Sequence, residues 1–429
     1  MTNKRNDALI MNTGLPKGWK VVKLSDVCKN ITDGSHFSPK SQEDGYSYVT
    51  VRDVDNDQID FDNCKKISKQ EYKKLVENGC RPYINDLLFS KDGTVGKVTL
   101  VNYEKEFVVL SSLAIFTPDV SIISPKYLFF VLKSDQFVRQ ALNQKKGVAI
   151  RRIILRDLKE LKLNLTSIPE QHRIVAKLEE LLSELEKGKE QLHIALDQLK
   201  VYRQAVLKYA FEGKLTNKNV KDGELPKGWK WVKVSDVVDM QSGVAFKKSE
   251  YSKSGIRLFQ IANVSFNYIK WEEIEHLPES YSRQYPELLL NVGDIVMALN
   301  RPMLNDQLKI AEIRSSDTPA ILYQRVGRFI FQKGDNKKYF LYFLQSPQFV
   351  KWLKEQLRGV NIPFINKSRL LGYDRYPICS VNDQHRIVEE IESRLSVVDK
   401  LEETITASVQ QSETLRQSIL KKAFEGKLV

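Results

Sequence analysis

The sequence predicts an α+β protein in which two mixed α/β globular domains alternate with two long helices that form a coiled coil. The first observation is a repeat. The segment Gln-His-Arg-Ile-Val at 171–175 returns at 384–388, and Ala-Phe-Glu-Gly-Lys-Leu at 210–215 returns at 423–428. Both pairs are 213 residues apart, so no insertion separates the copies. The second observation is an apolar rhythm of alternating steps of four and three residues, which is typical of a coiled-coil seam.

The seam is predicted from apolar positions that follow this rhythm in both helices. In the first helix they are Ile174, Leu178, Leu181, Leu185, Gly188, Leu192, Ala195, Leu199, Tyr202, Val206 and Tyr209. In the second they are Ile387, Ile391, Val398, Leu401, Ile405, Leu415 and Ile419. Because two matched stripes in one chain are most simply buried against each other, we expect the helices to pair.

The ends of both helices carry start and stop signals. Ser167 with Glu170, and Ser380 with Asp383, have the spacing of a capping box. Glycines close the two helices at 213 and 426, where a left-handed residue terminates a helix readily.

A further repeat, Leu-Pro-Lys-Gly-Trp-Lys at 15–20 and 225–230, opens each globular domain. The predicted organisation is a tail at 1–14, a first domain at 15–166, a helix at 167–213, a linker at 214–224, a second domain at 225–379 and a helix at 380–429. Within the domains we expect strands at Tyr48–Val51, Val98–Val101 and Phe107–Leu110, and a turn that runs into an apolar strand at 85–90 and again at 293–298. We also expect amphipathic helices at Tyr127–Val138 and Tyr339–Val350.

The net charge is +13, and its distribution separates the two kinds of segment. Residues 167–213 and 380–426 carry −1 and −3, whereas residues 1–166 and 214–379 carry +7 and +9. This pattern is expected if the domains bind a polyanion and the helices bind protein. No run of 18 apolar residues and no signal peptide is present, and the four cysteines show no CxxC pairing. We therefore expect a cytoplasmic protein without a membrane span, zinc site or disulfide framework.

The motifs of catalysis are missing from the sequence. The segment at 92–97 faintly resembles a phosphate-binding loop, but Lys91 and Val98 occupy positions where a Walker motif needs Gly and Ser or Thr. No Asn/Asp-Pro-Pro-aromatic signature of an adenine methyltransferase occurs. His172 and His385 have no cysteine or carboxylate at metal-ligand spacing, so we interpret them as packing or partner-contact residues. We expect no catalytic residue, no metal and no cofactor in this chain.

The candidate functional residues lie in predicted loops rich in groups that contact DNA. Arginine can pair with guanine and asparagine or glutamine with adenine, while lysine and serine hold phosphates. The candidates are Ser35, His36, Lys40, Lys91, Lys97, Lys145, Lys146, Arg151, Arg152, Gln241, Lys247, Lys248, Asn300, Arg301, Gln324, Arg325, Asn361, Asn366 and Lys367. The alternative is that these are ordinary solvated loops.

The combination of these motifs resembles the DNA-specificity subunit of type I restriction–modification systems. The resemblance spans residues 15–428 and depends on Leu-Pro-x-Gly-Trp, Gln-His-Arg-Ile-Val and Ala-Phe-x-Gly-Lys-Leu, each present twice. It implies that each globular segment is a target recognition domain for one half of a bipartite DNA site. It also implies that the helices are conserved spacers, packed antiparallel with pseudo-twofold symmetry, which set the gap and dock two modification subunits.

The resemblance also implies partner subunits that carry the cofactors. Separate methyltransferase subunits would bind S-adenosylmethionine and methylate adenine, and restriction subunits, when present, would use ATP and Mg to translocate and cleave. The candidate partner-binding residues are those of the repeated helix motifs, Gln171, His172, Arg173, Phe211, Gln384, His385, Arg386 and Phe424. A free-standing DNA-binding regulator with two recognition domains is the alternative, although two partner-like helices count against it.

Overall fold

The computed structural model describes residues 14–144, 153–217, 219–332 and 336–429. The chain divides into two compact units, residues 1–193 with 406–429, and residues 194–405. Each predicted long helix begins in one unit and ends in the other, so each unit contains one globular domain and one part of each helix.

The first globular domain contains eleven strands and four short helices in its described residues. They are β1 Lys20–Lys23, β2 Cys28–Asp33, β3 Tyr46–Val49, β4 Val54–Asp55, β5 Gln58–Ile59, β6 Lys65–Ile67, α1 Lys69–Glu77, β7 Leu87–Ser90, β8 Val98–Leu100, β9 Phe107–Val109, β10 Leu113–Pro118, α2 Pro125–Lys133, α3 Asp135–Asn143, α4 Leu155–Lys159 and β11 Lys162–Leu165. The main sheet is antiparallel with the order β2-β10-β7-β8, and a second sheet has the order β6-β3-β9.

The second globular domain repeats this plan. Its elements are β12 Lys230–Val232, β13 Val238–Ser242, β14 Ile256–Phe259, β15 His276–Leu277, α6 Tyr281–Gln284, β16 Ile295–Ala298, β17 Met303–Leu304, β18 Gln307–Leu308, β19 Ile310–Glu312, β20 Ala320–Leu322, β21 Val326–Phe331, α7 Lys337–Leu344, α8 Pro347–Gln356, α9 Lys367–Leu371 and β22 Tyr376–Ile378. The sheets β13-β21-β16-β19 and β15-β14-β20 correspond to the two sheets of the first domain. The mixed α/β architecture and its duplication are therefore as predicted.

The two domains differ in the loop after one equivalent central strand. In the first domain a loop without strands, residues 91–97, joins β7 to β8. In the second domain the hairpin β17–β18 lies between β16 and β19. Asn305 and Asp306 both have positive φ at the turn of this hairpin, as a two-residue type I′ turn requires.

Both predicted long helices are present and have equal length. Helix α5 spans Ile168–Phe211 and α10 spans Val381–Phe424, 44 residues each. In the first unit Ile174 and Leu178 of α5 share a core with Leu420 and Phe424 of α10. In the second unit the other ends of both helices contribute, with Val206, Phe211, Ile387 and Ile391 in one core.

The predicted seam is wrong at several positions. Gly188, Tyr202, Tyr209, Leu401 and Leu415 are exposed. The buried face near the helix ends broadens instead to adjacent positions, which include Val175, Leu207, Val388 and Leu395. The reason is that each helix end packs against a globular domain as well as against a helix, which a coiled-coil pattern does not anticipate.

Two predicted helices of the domains are each divided in two. The prediction at Tyr127–Val138 becomes α2 and α3, because Ser134 is extended at φ −68°, ψ 141° and its hydroxyl accepts a hydrogen bond from Phe137 N at 3.3 Å. The prediction at Tyr339–Val350 is interrupted at Ser346, which precedes Pro347. A serine N-cap inside a continuous apolar rhythm explains why the pattern alone suggested one helix.

Within each unit the glycine that ends a long helix packs against the proline of the Leu-Pro-Lys-Gly-Trp motif. In the first unit a Cβ on Gly426 would lie 2.5 Å from Cγ of Pro16, and in the second a Cβ on Gly213 would lie 2.2 Å from Cγ of Pro226. Both glycines also have positive φ, at +69° and +74°. The close approach and the backbone conformation together explain why glycine ends both helices.

The predicted capping boxes have different outcomes. Asp383 N donates to the Ser380 hydroxyl at 3.1 Å, and that hydroxyl donates to the Asp383 carboxylate at 2.8 Å. The Ser167 box is wrong, because the carboxylate of Glu170 accepts from Trp19 Nε1 at 3.1 Å and from the Thr166 hydroxyl. Glu170 therefore links α5 to the Leu-Pro-Lys-Gly-Trp motif of its own domain.

Candidate nucleic-acid interface and helix surface

The loop after β2 carries the first group of DNA-contact candidates. It passes close to β9, since a Cβ on Gly34 would lie 2.3 Å from the Val109 carbonyl oxygen. Ser35 is buried, and its hydroxyl donates to Phe37 O at 2.6 Å and accepts from Phe37 N at 3.1 Å. This turn occupies the Ser35 hydroxyl, so the structure gives no support to the predicted DNA contact of Ser35. His36 is exposed, with Nε2 3.3 Å from the Asp33 carboxylate.

Lys91 and Lys97 both contact other groups of the first domain. The Lys91 side chain is only 4% exposed, and its Nζ lies 3.3 Å from Asp33 Oδ1. Burial raises the pKa of Asp33 more than the positive charge of Lys91 lowers it. Lys97 Nζ donates to the backbone carbonyl of Val54. These contacts occupy both ammonium groups, that of the buried Lys91 and that of the half-buried Lys97, and the structure gives no support to a phosphate contact by either.

The exposed surface of the first domain retains other candidates. Lys40 is exposed beside the same loop, and Phe37 is 61% exposed with Lys74 Nζ 5.8 Å from its ring centroid. Sequence reasoning missed Phe37 and Lys74, because a single exposed aromatic residue has no periodic signal. Four further candidates lie outside the described residues: Lys145, Lys146, Arg151 and Arg152.

A buried arginine organises the corresponding region of the second domain. Arg328 donates to Gln241 Oε1, to the carbonyl of Leu289 and to that of Glu287, and its Nη1 lies 3.2 Å from Asp294 Oδ2. Gln241 Nε2 also donates to Glu287 O at 3.1 Å. The amide of the half-buried Gln241 belongs to this network, and its predicted DNA contact stays a prediction.

Four candidates lie at the surface of the second domain, and two of them already have a side-chain partner within the domain. Lys247 and Lys248 are exposed at the start of a short 3₁₀ helix, Lys248–Glu250. Lys367 is also exposed, but its Nζ lies 2.7 Å from Asp239 Oδ1 and lowers the pKa of that carboxyl. The side chain of Asn366 caps α9 by accepting from Arg369 N at 3.0 Å. The cap gives Asn366 a structural role.

The remaining candidates of the second domain lie in three loops joined by backbone hydrogen bonds. Leu299 N donates to Arg325 O at 2.9 Å, and Arg301 N donates to Pro363 O at 2.6 Å. Arg301 and Arg325 are exposed and have positive φ, 46° and 65°, an unusual conformation for a bulky residue. The structure therefore brings together residues that are far apart in sequence.

The third of these loops, residues 358–364, includes the candidate Asn361. Asn361 is exposed, as are Arg358 and Val360, which sequence reasoning did not select. The half-buried Asn300 pairs with Phe364 in an isolated bridge, while the half-buried Gln324 donates from Nε2 to the Tyr323 hydroxyl at 3.3 Å. The signal that could have found this loop is the Gly-Val pair shared by 359–360 and 147–148.

Half of the predicted partner-binding residues are structural. Gln171 is fully buried and its amide joins α5 to the first domain, accepting from Ser124 N at 2.8 Å and donating to Ile122 O and Thr166 O. Phe424 is buried against Tyr127, with ring centroids 5.3 Å apart.

The equivalent residues of the second unit have the same role. Phe211 is buried against Tyr339 and Phe343, and Gln384 is buried and donates to Cys379 O at 3.2 Å. These four repeated residues attach the helices to their domains, so the structure gives no support to their predicted contact with a partner.

The charged residues of the repeated motif face solvent. The exposed members are His172, Arg173, His385 and Arg386. A ring nitrogen of His385 lies 3.3 Å from Asn336 Nδ2, and Arg386 lies 3.6 Å from Asp383. These four remain the accessible candidates for a partner surface.

Within the described ranges no group of three His, Cys, Asp or Glu side chains could hold a metal ion. In the same part of the chain no helix is both long and apolar enough to cross a membrane. All four cysteines are free, and burial raises the pKa of Cys28 to about 12.

Comparison with known proteins agrees with this architecture. The model of the type I restriction modification DNA specificity domain matches twice, over residues 16–193 and 226–411. The MjaVIII specificity subunit of Methanocaldococcus jannaschii is 32% identical over 96% of this chain and 94% of its own length. The EcoBI specificity subunit of Escherichia coli is 29% identical over 96% of this chain and 86% of its own.

Two solved structures share the fold. A chain from work on complex assembly and conformational transition of the type I R-M system has a TM-score of 0.73, with 19% identity over 96% of this chain and 99% of that chain. The HsdS subunit from Thermoanaerobacter tengcongensis has a TM-score of 0.58, with 20% identity over 96% and 98%. The fold and the paired domains define a DNA specificity subunit. This chain belongs to the family of type I restriction–modification specificity subunits.

Proposed function

We propose that this chain is the DNA-reading subunit of a type I restriction–modification complex, and that each globular domain reads one half of an asymmetric bipartite site. The observation that carries the proposal is the repetition of one scaffold with different loops. Equivalent sheets position the loop at 34–40 in the first domain and the Arg301 and Arg325 loops in the second. Two domains of one shape with unlike tips suit two unlike half-sites.

The helices α5 and α10 are proposed as an antiparallel spacer that sets the gap between the half-sites. Support comes from each unit taken by itself. The beginning of α5 packs with the end of α10 in the first unit, and the end of α5 packs with the beginning of α10 in the second. Equal lengths of 44 residues suit a spacer with a pseudo-twofold axis.

Two methyltransferase subunits would dock on the helices, bind S-adenosylmethionine and methylate adenine. A restriction subunit, where one is present, would supply ATP- and Mg-dependent translocation and cleavage. This chain itself would contribute recognition and spacing in the cytoplasm, without covalent chemistry. The exposed residues His172, Arg173, His385 and Arg386 are proposed as part of the docking surface.

The test is coexpression of this chain with its methyltransferase partner, followed by genome-wide mapping of methylated adenines. The expected result is methylation at one asymmetric motif made of two half-sites and a fixed gap. Methyltransferase expressed alone is the control and should leave that motif unmodified. Sequence-specific binding by this chain without any association with a methyltransferase would favour the free-standing regulator instead.

A further inference from the structure

The loop formed by residues 358–364, here named the Val360 loop, exposes an apolar tip. Val360 is 97% exposed, Ile362 46% and Phe364 38%. A single exposed valine would be unremarkable, because folded proteins expose much apolar surface. Three exposed apolar side chains within one short loop instead form a local patch of the kind that marks a contact surface.

The Val360 loop has a fixed and narrow shape. Arg358 N donates to Phe364 O at 2.9 Å, and Phe364 N donates to Arg358 O at 2.8 Å, so the two arms pair as a short antiparallel ribbon. Gly359 has φ of +89°, and a Cβ there would lie 2.7 Å from the Ile362 carbonyl oxygen. The apolar tip is therefore presented by a defined backbone.

The surroundings of the loop favour a polyanion as its occupant. Arg358 belongs to the loop, and backbone hydrogen bonds connect the loop with the segments that carry Arg301 and Arg325. Among the residues that the structure describes, none of these three guanidinium groups takes part in an ion pair. The nearby hairpin carries one acidic residue, Asp306, which is paired with Lys354. Positive charge in the loop and in the segments bonded to it complements the phosphates that flank a DNA groove.

The dimensions of the loop distinguish between the two grooves. A two-stranded ribbon fits the undistorted major groove, which is about 12 Å wide, whereas the undistorted minor groove is only about 6 Å wide. The apolar group on the major-groove edge of a base pair is the C5-methyl of thymine.

We propose that the Val360 loop enters the major groove of the second half-site and that Val360 packs against a thymine methyl group there. The proposal rests on the proposed function, because it assigns one contact within the recognition of that half-site. The first half of the chain carries the same Gly-Val pair at 147–148, which lies outside the described residues, so the assignment is confined to the second domain.

The test uses the full chain with its methyltransferase partner and a duplex containing the site recovered by methylation mapping. Each thymine of the second half-site is replaced in turn by deoxyuridine, which removes only the methyl group, and Kd is measured for the wild type and for Val360→Ala. One replacement should weaken wild-type binding by about fourfold, the value for loss of one buried methyl group. The Val360→Ala complex should bind more weakly by a similar factor and should not respond to that replacement.

Matched variants complete the design. Val292→Ala is the control, because Val292 is 60% exposed and precedes β16, whereas the Arg301 loop follows that strand. Val360→Thr keeps the shape and one methyl group and should retain part of the response to deoxyuridine. Thermal unfolding should show unchanged stability for Val360→Ala, since the side chain is almost fully exposed.

Two different results would distinguish failure of the proposed function from failure of the thymine contact. If the wild-type complex bound its site no better than a scrambled duplex, the proposed function itself would fail. If it bound specifically but no thymine replacement coupled to Val360→Ala, only the thymine contact would be refuted. Weaker association of Val360→Ala with the methyltransferase, at unchanged DNA affinity, would likewise overturn the contact and make the loop a protein interface.

Discussion

Arg325 and Asn361 are exposed residues whose proposed contacts with base edges can be distinguished from phosphate contacts made by lysine. Both lie in the group of hydrogen-bonded loops of the second domain, and both side chains can pair with base edges. Changing either to Ala should cost about 1–3 kcal/mol of binding free energy and relax specificity in the second half-site only. Binding measurements on a panel of singly altered half-sites would check this.

The comparison for that prediction is Lys248→Ala. Lys248 is an exposed lysine of the same domain, outside the loop group. If it contacts phosphate, its loss should weaken binding to all sequences alike and reduce the salt dependence. If Arg325→Ala and Asn361→Ala both kept the wild-type sequence preference in the second half-site, these loops would not contact bases.

The buried pair of Lys91 and Asp33 gives a prediction on stability. Lys91→Met removes one partner and leaves the Asp33 carboxylate without its cation, which should lower the free energy of unfolding by about 3 kcal/mol. The double variant with Asp33→Asn as well should recover most of that loss. Thermal unfolding of the three proteins would measure it. If Lys91→Met had normal stability but reduced DNA affinity, Lys91 would be a DNA contact and not a stabilising buried residue.

The same pair gives a pH dependence whose sign follows from Asp33. Burial already raises its pKa above 3.8, and Lys91 lowers it, so Lys91→Met should raise the folded pKa further. A group with a raised folded pKa contributes stability at low pH that is lost as pH rises through that pKa. The stability difference between wild type and Lys91→Met should thus grow from pH 3.8 toward neutrality. A difference that is constant with pH would contradict this account.

At the scale of elements, the long helices provide the next prediction. Seven residues inserted after Leu192 in α5 and after Ile405 in α10 preserve the helical face, because a heptad returns each residue to the same row. Both insertion points lie within one residue of the boundaries between the two compact units, so the domains and their cores remain intact. The insertion adds about 10 Å of helix.

The expected result is a gap longer by about three base pairs, at roughly 3.4 Å for each, with both half-sites unchanged. Some affinity should be lost, because the added base pairs also rotate one half-site about the duplex. Mapping of methylated adenines would reveal the new gap. An insertion of two residues is the control and should be more damaging, since it turns the apolar rows away from their partners. The original gap with full activity would show that the helices do not set the spacing.

At the scale of the whole molecule, the division into two units predicts independent recognition. Replacing residues 225–379 with the equivalent domain of a relative should change one half-site and leave the other and the gap unchanged. The second domain has its own hydrophobic core and its own sheets, which is the physical reason for this independence. Methylation mapping would check it, and a change in both half-sites would contradict it.

Much of this architecture was predictable from the sequence because it is encoded by local patterns and by repetition. The long helices, the duplicated α+β domains and strands such as β7 and β16 follow from apolar periodicity and turn residues. The start of α10 at Ser380 follows from its capping spacing. The repeated motifs also carried the resemblance to the specificity-subunit family, which the comparisons confirmed.

Tertiary structure decided what the repeated and charged residues do. Phe211, Phe424 and Gln171 form joints between helix and domain, and Lys91 is a buried counterion, although each pattern also suited a surface role. Neither composition nor spacing could bring residues 299–301, 325 and 358–364 together, because their hydrogen bonds join segments distant in sequence. Periodicity specifies which face of an element is apolar. Only the folded chain specifies what covers that face, and therefore which polar groups remain exposed to bind DNA.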